Sequence, residues 1–66
     1  MNVYSVGFVF DKKSIYRDFK LTKTVATKTA EEAIAVARRL TLKDWSHTRS
    51  SWVRVVNVSL VTALDN

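Results

Sequence analysis

The segment from Thr29 to Trp45 constrains the fold most, because it combines a helix start signal with helical periodicity. The Thr29 hydroxyl can accept a hydrogen bond from the first helical turn, while Glu32, three residues later, can reach back to the Thr29 amide. This pattern is a capping box. Acidic residues open the segment and basic residues follow toward its end, as the helix dipole favours. The sequence therefore predicts one helix over these residues.

An apolar stripe with the helical period predicts which face of this helix is buried. It consists of Ala30, Ala33, Ile34, Ala37 and Leu40, with Val36 beside them. Because most of these side chains are small, the helix can lie close to a sheet.

Alternating sequence patterns on both sides of the helix predict three strands. Asn2–Phe10 carries an aromatic face directed at the helix and a second, fairly apolar face, which suits the centre of a sheet. Gly7 within it predicts a bulge or a close approach by another backbone. After a polar hairpin loop, Ile15–Thr27 predicts an edge strand interrupted by cations. Trp52–Leu64, rich in valine, predicts the third strand.

The predicted fold class is α+β, with the order β-β-α-β in a single domain over residues 1–66. The third strand can lie beside the first, giving an antiparallel sheet in the order 2-1-3, or beside the second, through a right-handed crossover. The order 2-1-3 is favoured because it places the most apolar strand in the centre. A single helix covers one sheet face and leaves valines on the other face.

Those uncovered valines predict a homodimer, formed through the open sheet face or through an exposed strand edge. A chain of 66 residues without cysteine also lacks disulfides that would add to its stability, and a second subunit is the expected substitute. The candidate dimer face comprises Val3, Val9, Val53, Val55 and Val61.

Composition narrows the classes of function. With no cysteine and the single histidine His47, no metal site is expected, and the one glycine excludes a glycine-rich phosphate loop, so no cofactor is expected either. Asp44, Ser46 and His47 include the residue types of a catalytic triad, but adjacent loop positions do not supply its geometry. We therefore expect no enzyme. Without a spanning segment or a signal-peptide pattern, a cytoplasmic location and no membrane contact are expected.

The net charge of +5 favours an anionic partner. Aromatic and basic residues together can stack on bases and neutralise phosphates, or anchor a protein interface. Alternatively, each tryptophan closes one end of the core. The candidate partner-binding residues are Lys43, Trp45, His47, Arg49, Trp52 and Arg54, and a candidate basic surface comprises Lys12, Lys13, Lys20, Arg38 and Arg39.

The run Ala26–Ala37, which leaves a strand and enters the helix, resembles a junction found in many small β-β-α-β proteins. Short accessory proteins of phages and prophages are among them. The resemblance implies a small accessory protein rather than an enzyme. The predicted function is a non-enzymatic binding protein that occupies a surface on a protein or protein–nucleic-acid complex. The alternative is a small basic module that binds DNA or RNA through the backbone.

Overall fold

The computed structural model describes residues 1–45 and 48–64. Its strands are β1 (Asn2–Phe10), β2 (Lys20–Thr27) and β3 (Val53–Ala63), and its helix α1 (Ala30–Asp44) lies between β2 and β3 in the chain. Within this part of the chain the strands form one antiparallel sheet in the order β2-β1-β3. The predicted α+β class, element order and strand order are confirmed.

Helix α1 begins as the capping pattern predicts. Thr29 is the N-cap residue, and its hydroxyl accepts a hydrogen bond from the Glu32 amide at 3.2 Å. The predicted apolar stripe is partly wrong, because Ala30 is exposed and Leu40 is 39% exposed. Thr41 takes a buried position instead, where its hydroxyl donates to the Ala37 carbonyl at 2.8 Å. That internal bond satisfies the polar group and allows a threonine into the core.

The core lies between the helix and the aromatic face of β1. Val6, Phe8 and Phe10 are almost fully buried there. The helix contributes Ala33 and Ala37, whose small side chains allow close packing. Val25 from β2 and Val53 from β3 complete the buried set.

A bulge in β3 corrects the prediction of which valines lie on the uncovered face. Gly7 pairs with Asn57 and Phe8 pairs with Val55, so Val56 is an extra residue between two pairs. Such an insertion reverses the alternation of side chains along the strand. Val53 is buried in the core and Val55 packs against it, so both lie on the helix side rather than on the predicted dimer face.

The uncovered side of the sheet, here called the open face, is mostly small and polar. Val56 contributes to it, since its Cγ2 atom would lie 3.7 Å from a Cβ placed on Gly7. The cross-strand rows of the open face, from β2 through β1 to β3, are Ala26–Val3–Thr62, Thr24–Ser5–Ser59, Thr22–Gly7–Asn57 and Lys20–Val9–Arg54. Of the predicted dimer residues, Val3 and Val9 remain on this face, and Val61 is an extra residue in a second irregularity, between Leu60 and Thr62.

The second strand is shorter than predicted, because residues 11–19 form a folded connection instead of a strand. Successive turns run through it, and Phe10 and Phe19 close it with a backbone hydrogen bond of 3.1 Å. Asp18 has a φ of 64°, which is incompatible with a strand but tolerated by aspartate. The strand that follows begins at Lys20.

Candidate binding surface at the basic end

Three chain segments meet at the end of the sheet where β1 ends and β3 begins. They are the connection 11–19, the C-terminal end of α1 and the 3₁₀ helix Ser50–Trp52. The Asp11 amide donates a hydrogen bond of 2.8 Å to the Trp52 carbonyl, which joins the first and last of these segments. Segments that are far apart in the sequence thus form one surface.

Trp45 lies on the inner side of this junction, in an aromatic cluster with Phe10, Tyr16 and Phe19. The centroid of its ring lies 5.4 Å, 4.7 Å and 5.1 Å from those of the three partners, respectively. The ring packs against the core and is only half-buried. Of the two alternatives for the tryptophans, Trp45 therefore follows the one in which the side chain closes an end of the core.

Trp52 is also half-buried, but unlike Trp45 it does not belong to the aromatic cluster. The guanidinium carbon of Arg49 lies over the Trp52 ring, 5.2 Å from its centroid. The Trp52 amide also donates to the Arg49 carbonyl at 2.9 Å, within the turn that begins the 3₁₀ helix. Arg49 is exposed, so this pair presents a cation supported by an aromatic ring.

Arg38 and Arg39, both predicted as basic surface, have different environments. Arg38 donates to the carbonyls of Ser50 and Val53 and lies over the Phe8 ring, with its guanidinium carbon 5.9 Å from the ring centroid. It therefore joins α1 to the start of β3. Arg39 is exposed.

Most of the remaining cations lie in the segments that meet at this end of the sheet or at the adjoining ends of β2 and β3. On the open face, Lys20 of β2 and Arg54 of β3 pair with Val9 from opposite sides. Their backbones lie roughly 10 Å apart, which is twice the spacing between neighbouring strands. Arg17, which sequence reasoning assigned to a strand, is exposed in the connection 11–19 instead. We define the basic end as the exposed residues Lys12, Lys13, Arg17, Lys20, Lys43, Arg49 and Arg54.

Carboxylates reduce the positive charge of this region only in part. Asp44, at the end of α1, forms an ion pair with Lys23 of β2, and both are therefore left out of the basic end. Asp11 accepts a hydrogen bond from the Lys13 amide at 3.0 Å, and Asp18 lies in the same connection. The cations of the basic end outnumber these two carboxylates, so the surface attracts anions.

Ser46 and His47, the latter a candidate binding residue, lie outside the described residues. Among residues 1–45 and 48–64, no group of three potential metal ligands and no ligand-sized cavity is found. The described helix is too short and too polar to span a membrane.

Comparisons with models of protein families, with curated proteins and with solved structures give no match to this chain.

Proposed function

We propose that this chain is a non-enzymatic binding protein, whose basic end occupies an anionic surface on a partner protein or protein–nucleic-acid complex. The observation that carries this proposal is the Arg49–Trp52 pair, together with exposed cations on the connection 11–19, at the end of α1 and at the adjoining ends of β2 and β3. Arginine and tryptophan are the residues that most often dominate the affinity of protein interfaces.

The arrangement of the pair supports a role in binding. Stacking on Trp52 restrains the Arg49 guanidinium, so less side-chain entropy is lost when it meets a carboxylate. The surrounding loops are fastened to a rigid sheet, because Asp11 and Trp52 are joined by a backbone hydrogen bond. Loops held in this way commonly carry binding residues.

Nucleic-acid binding is the second candidate function, and Lys20 and Arg54 on the open face favour it. Both side chains could neutralise phosphates along one line of the surface. The rest of the open face presents Ser, Thr, Asn and Val side chains, whereas base stacking needs aromatic rings. Tyr16 and Phe19 both pack on Trp45 away from the open face, and of these Phe19 keeps 48% of its surface exposed. A nucleic acid would thus be held mainly by its backbone.

Affinity capture from a lysate of the native host, before and after nuclease treatment, tests the leading proposal. The protein, immobilised through its N-terminus, should retain a protein partner after nuclease treatment. The double variant Arg49→Ala, Arg54→Ala should lose that partner. A matched variant, Lys28→Ala with Arg39→Ala, removes the same charge from exposed positions outside the basic end and should retain it. Equal capture by both folded double variants would contradict the proposal.

A titration against mixed-sequence duplex DNA, single-stranded DNA and RNA at rising salt tests the second candidate. Binding through phosphates weakens steeply as salt increases, because neutralised phosphates release counterions. If partner capture disappears after nuclease treatment and the purified protein shows such steep salt dependence, the nucleic-acid function replaces the leading one.

A further inference from the structure

The outer edge of β3 is the second surface of this molecule with the properties of an interface. β3 is the longest strand, with 11 residues, and it pairs only with β1. In the described part of the chain no strand lies along its other side. The backbone amide and carbonyl groups that point outward are therefore available to another strand.

This edge is both uncharged and apolar. No charged residue occurs from Val55 to Leu64. Val56, Leu60 and Val61 are 57%, 57% and 58% exposed, respectively. The apolar character of the edge continues to Leu64, which is 44% exposed. Edge strands of soluble proteins are normally protected by charges, prolines, bulges or short length. β3 carries a charge at Arg54 and irregularities at Val56 and Val61, but its regular stretch between them, Asn57–Leu60, has neither a charge nor a proline.

We propose that β3 pairs in antiparallel orientation with β3 of a second copy of this chain, about a two-fold axis near Ser59. The two sheets then form one continuous sheet with both helices on the same side. In this register Val58 of each copy lies opposite Leu60 of the other. Both residues are on the helix side, because they pair within the chain with Val6 and Tyr4, respectively. Each of these two contacts across the two-fold axis thus joins two apolar side chains.

The distribution of charge favours a second copy paired through this edge over pairing through the other edge of the sheet. Two copies that each carry +5 repel one another wherever their cations approach. Pairing about Ser59 separates the two Arg54 residues by about 33 Å, at ~3.3 Å per residue, which is well beyond the screening length of about 8 Å at physiological salt. The β2 edge carries Lys20 and Lys23, and pairing through it would bring like charges together.

The small size of the domain gives a second reason. A chain of this length buries a small core, and such domains commonly add a disulfide, a metal or a second subunit. Cysteine is absent from this sequence. Pairing through β3 would remove the exposed Leu60 and Val61 side chains from water and would satisfy the free backbone groups of the edge.

Sedimentation equilibrium of matched lysine variants tests this assignment. The edge variant carries Leu60→Lys and Val61→Lys. The control variant carries Ile15→Lys and Leu40→Lys, at positions that are 73% and 39% exposed and lie away from β3. Wild type and control should be dimers, and the edge variant should show at least a tenfold higher dissociation constant with unchanged helix content by circular dichroism. A monomeric wild type at the highest soluble concentration, or a dimer unaffected in the edge variant, would overturn the proposal.

Oxidative cross-linking tests the register and does not depend on the lysine variants being folded. Because the chain has no cysteine, Ser59→Cys introduces a single thiol on β3. Thr24→Cys is its control, since Thr24 and Ser59 are both exposed and both pair with Ser5, on opposite edges of the sheet. The two Ser59 positions would have Cβ atoms about 5 Å apart across the axis, close enough for a disulfide after small adjustments. Ser59→Cys should form covalent dimers at least tenfold faster than Thr24→Cys, and equal rates would reject the pairing.

Discussion

Replacing each tryptophan by alanine should separate the packing role of Trp45 from the surface role of Trp52. Trp45 contacts three aromatic rings at centroid distances of 4.7–5.4 Å. Each aromatic pair contributes about 0.5–1.5 kcal/mol beyond area burial, and a buried tryptophan truncated to alanine costs about 3–5 kcal/mol. Because Trp45 is half-buried, we expect a loss near the lower limit, about 3 kcal/mol.

Trp52 has a weaker set of contacts. The exposed Arg49 guanidinium lies over its ring, and an exposed cation–π contact contributes about 0.5–1 kcal/mol. Trp52→Ala should therefore lower the free energy of unfolding by about 1 kcal/mol and leave the fold intact. A domain of this size has roughly 3–5 kcal/mol available from its core, so Trp45→Ala should keep only about 0–2 kcal/mol and be marginally stable at 25 °C.

Urea unfolding followed by far-ultraviolet circular dichroism measures both losses without relying on tryptophan fluorescence. Trp45→Phe serves as a control that keeps an aromatic ring in the cluster and should retain part of the stability. The experiments should be run at one protein concentration, because a dimer adds concentration-dependent stability. Losses for the two alanine variants that agree within about 0.5 kcal/mol would refute the assignment of Trp45 to the core and of Trp52 to the surface.

Two further substitutions test details of the fold by the same unfolding measurement. Arg38→Met should lower the free energy of unfolding by about 1–2 kcal/mol, because it removes charged hydrogen bonds to the Ser50 and Val53 carbonyls. Its control, Arg39→Met, should stay within about 0.5 kcal/mol of wild type, and equal effects of the two substitutions would contradict the structural role of Arg38. Gly7→Ala should leave stability unchanged or raise it by about 0.5–1 kcal/mol, because the added Cβ would lie 3.5 Å from the Asn57 Cβ, in ordinary contact. A loss of stability above about 1 kcal/mol would show that the bulge needs glycine.

The elements that were predicted correctly are those fixed by local signals. Strand β1 has the predicted bounds because its alternation is uninterrupted from Asn2 to Phe10. Thr29 caps α1 as predicted because a cap depends on neighbouring residues only. The strand order followed from polarity, since the most apolar strand takes the centre of the sheet.

The errors arise where tertiary contacts override local patterns. Residues 15–19 have strand-like composition, but Tyr16 and Phe19 pack into the aromatic cluster and Asp18 adopts a left-handed conformation. One continuous alternation predicts the faces of β3, whereas the extra residue Val56 reverses the alternation. Gly7 predicts a bulge or a close approach by another backbone, and neither alternative indicates that the inserted residue lies in β3, opposite Gly7 and Phe8.

The two proposed surfaces should respond to salt in opposite directions, because one depends on charge and the other on uncharged contacts. Pairing through β3 brings together two copies of charge +5 without placing cations opposite one another. Raising sodium chloride from about 0.05 M to about 0.5 M shortens the screening length severalfold and reduces their general repulsion, so the dimer dissociation constant should fall. Over the same range, binding of an anionic partner to the basic end should weaken. Sedimentation equilibrium and partner titration in the same buffers measure both trends. Dimerisation that weakens with salt would place cations of the basic end in the subunit contact, and the pairing through the uncharged edge of β3 would then be wrong.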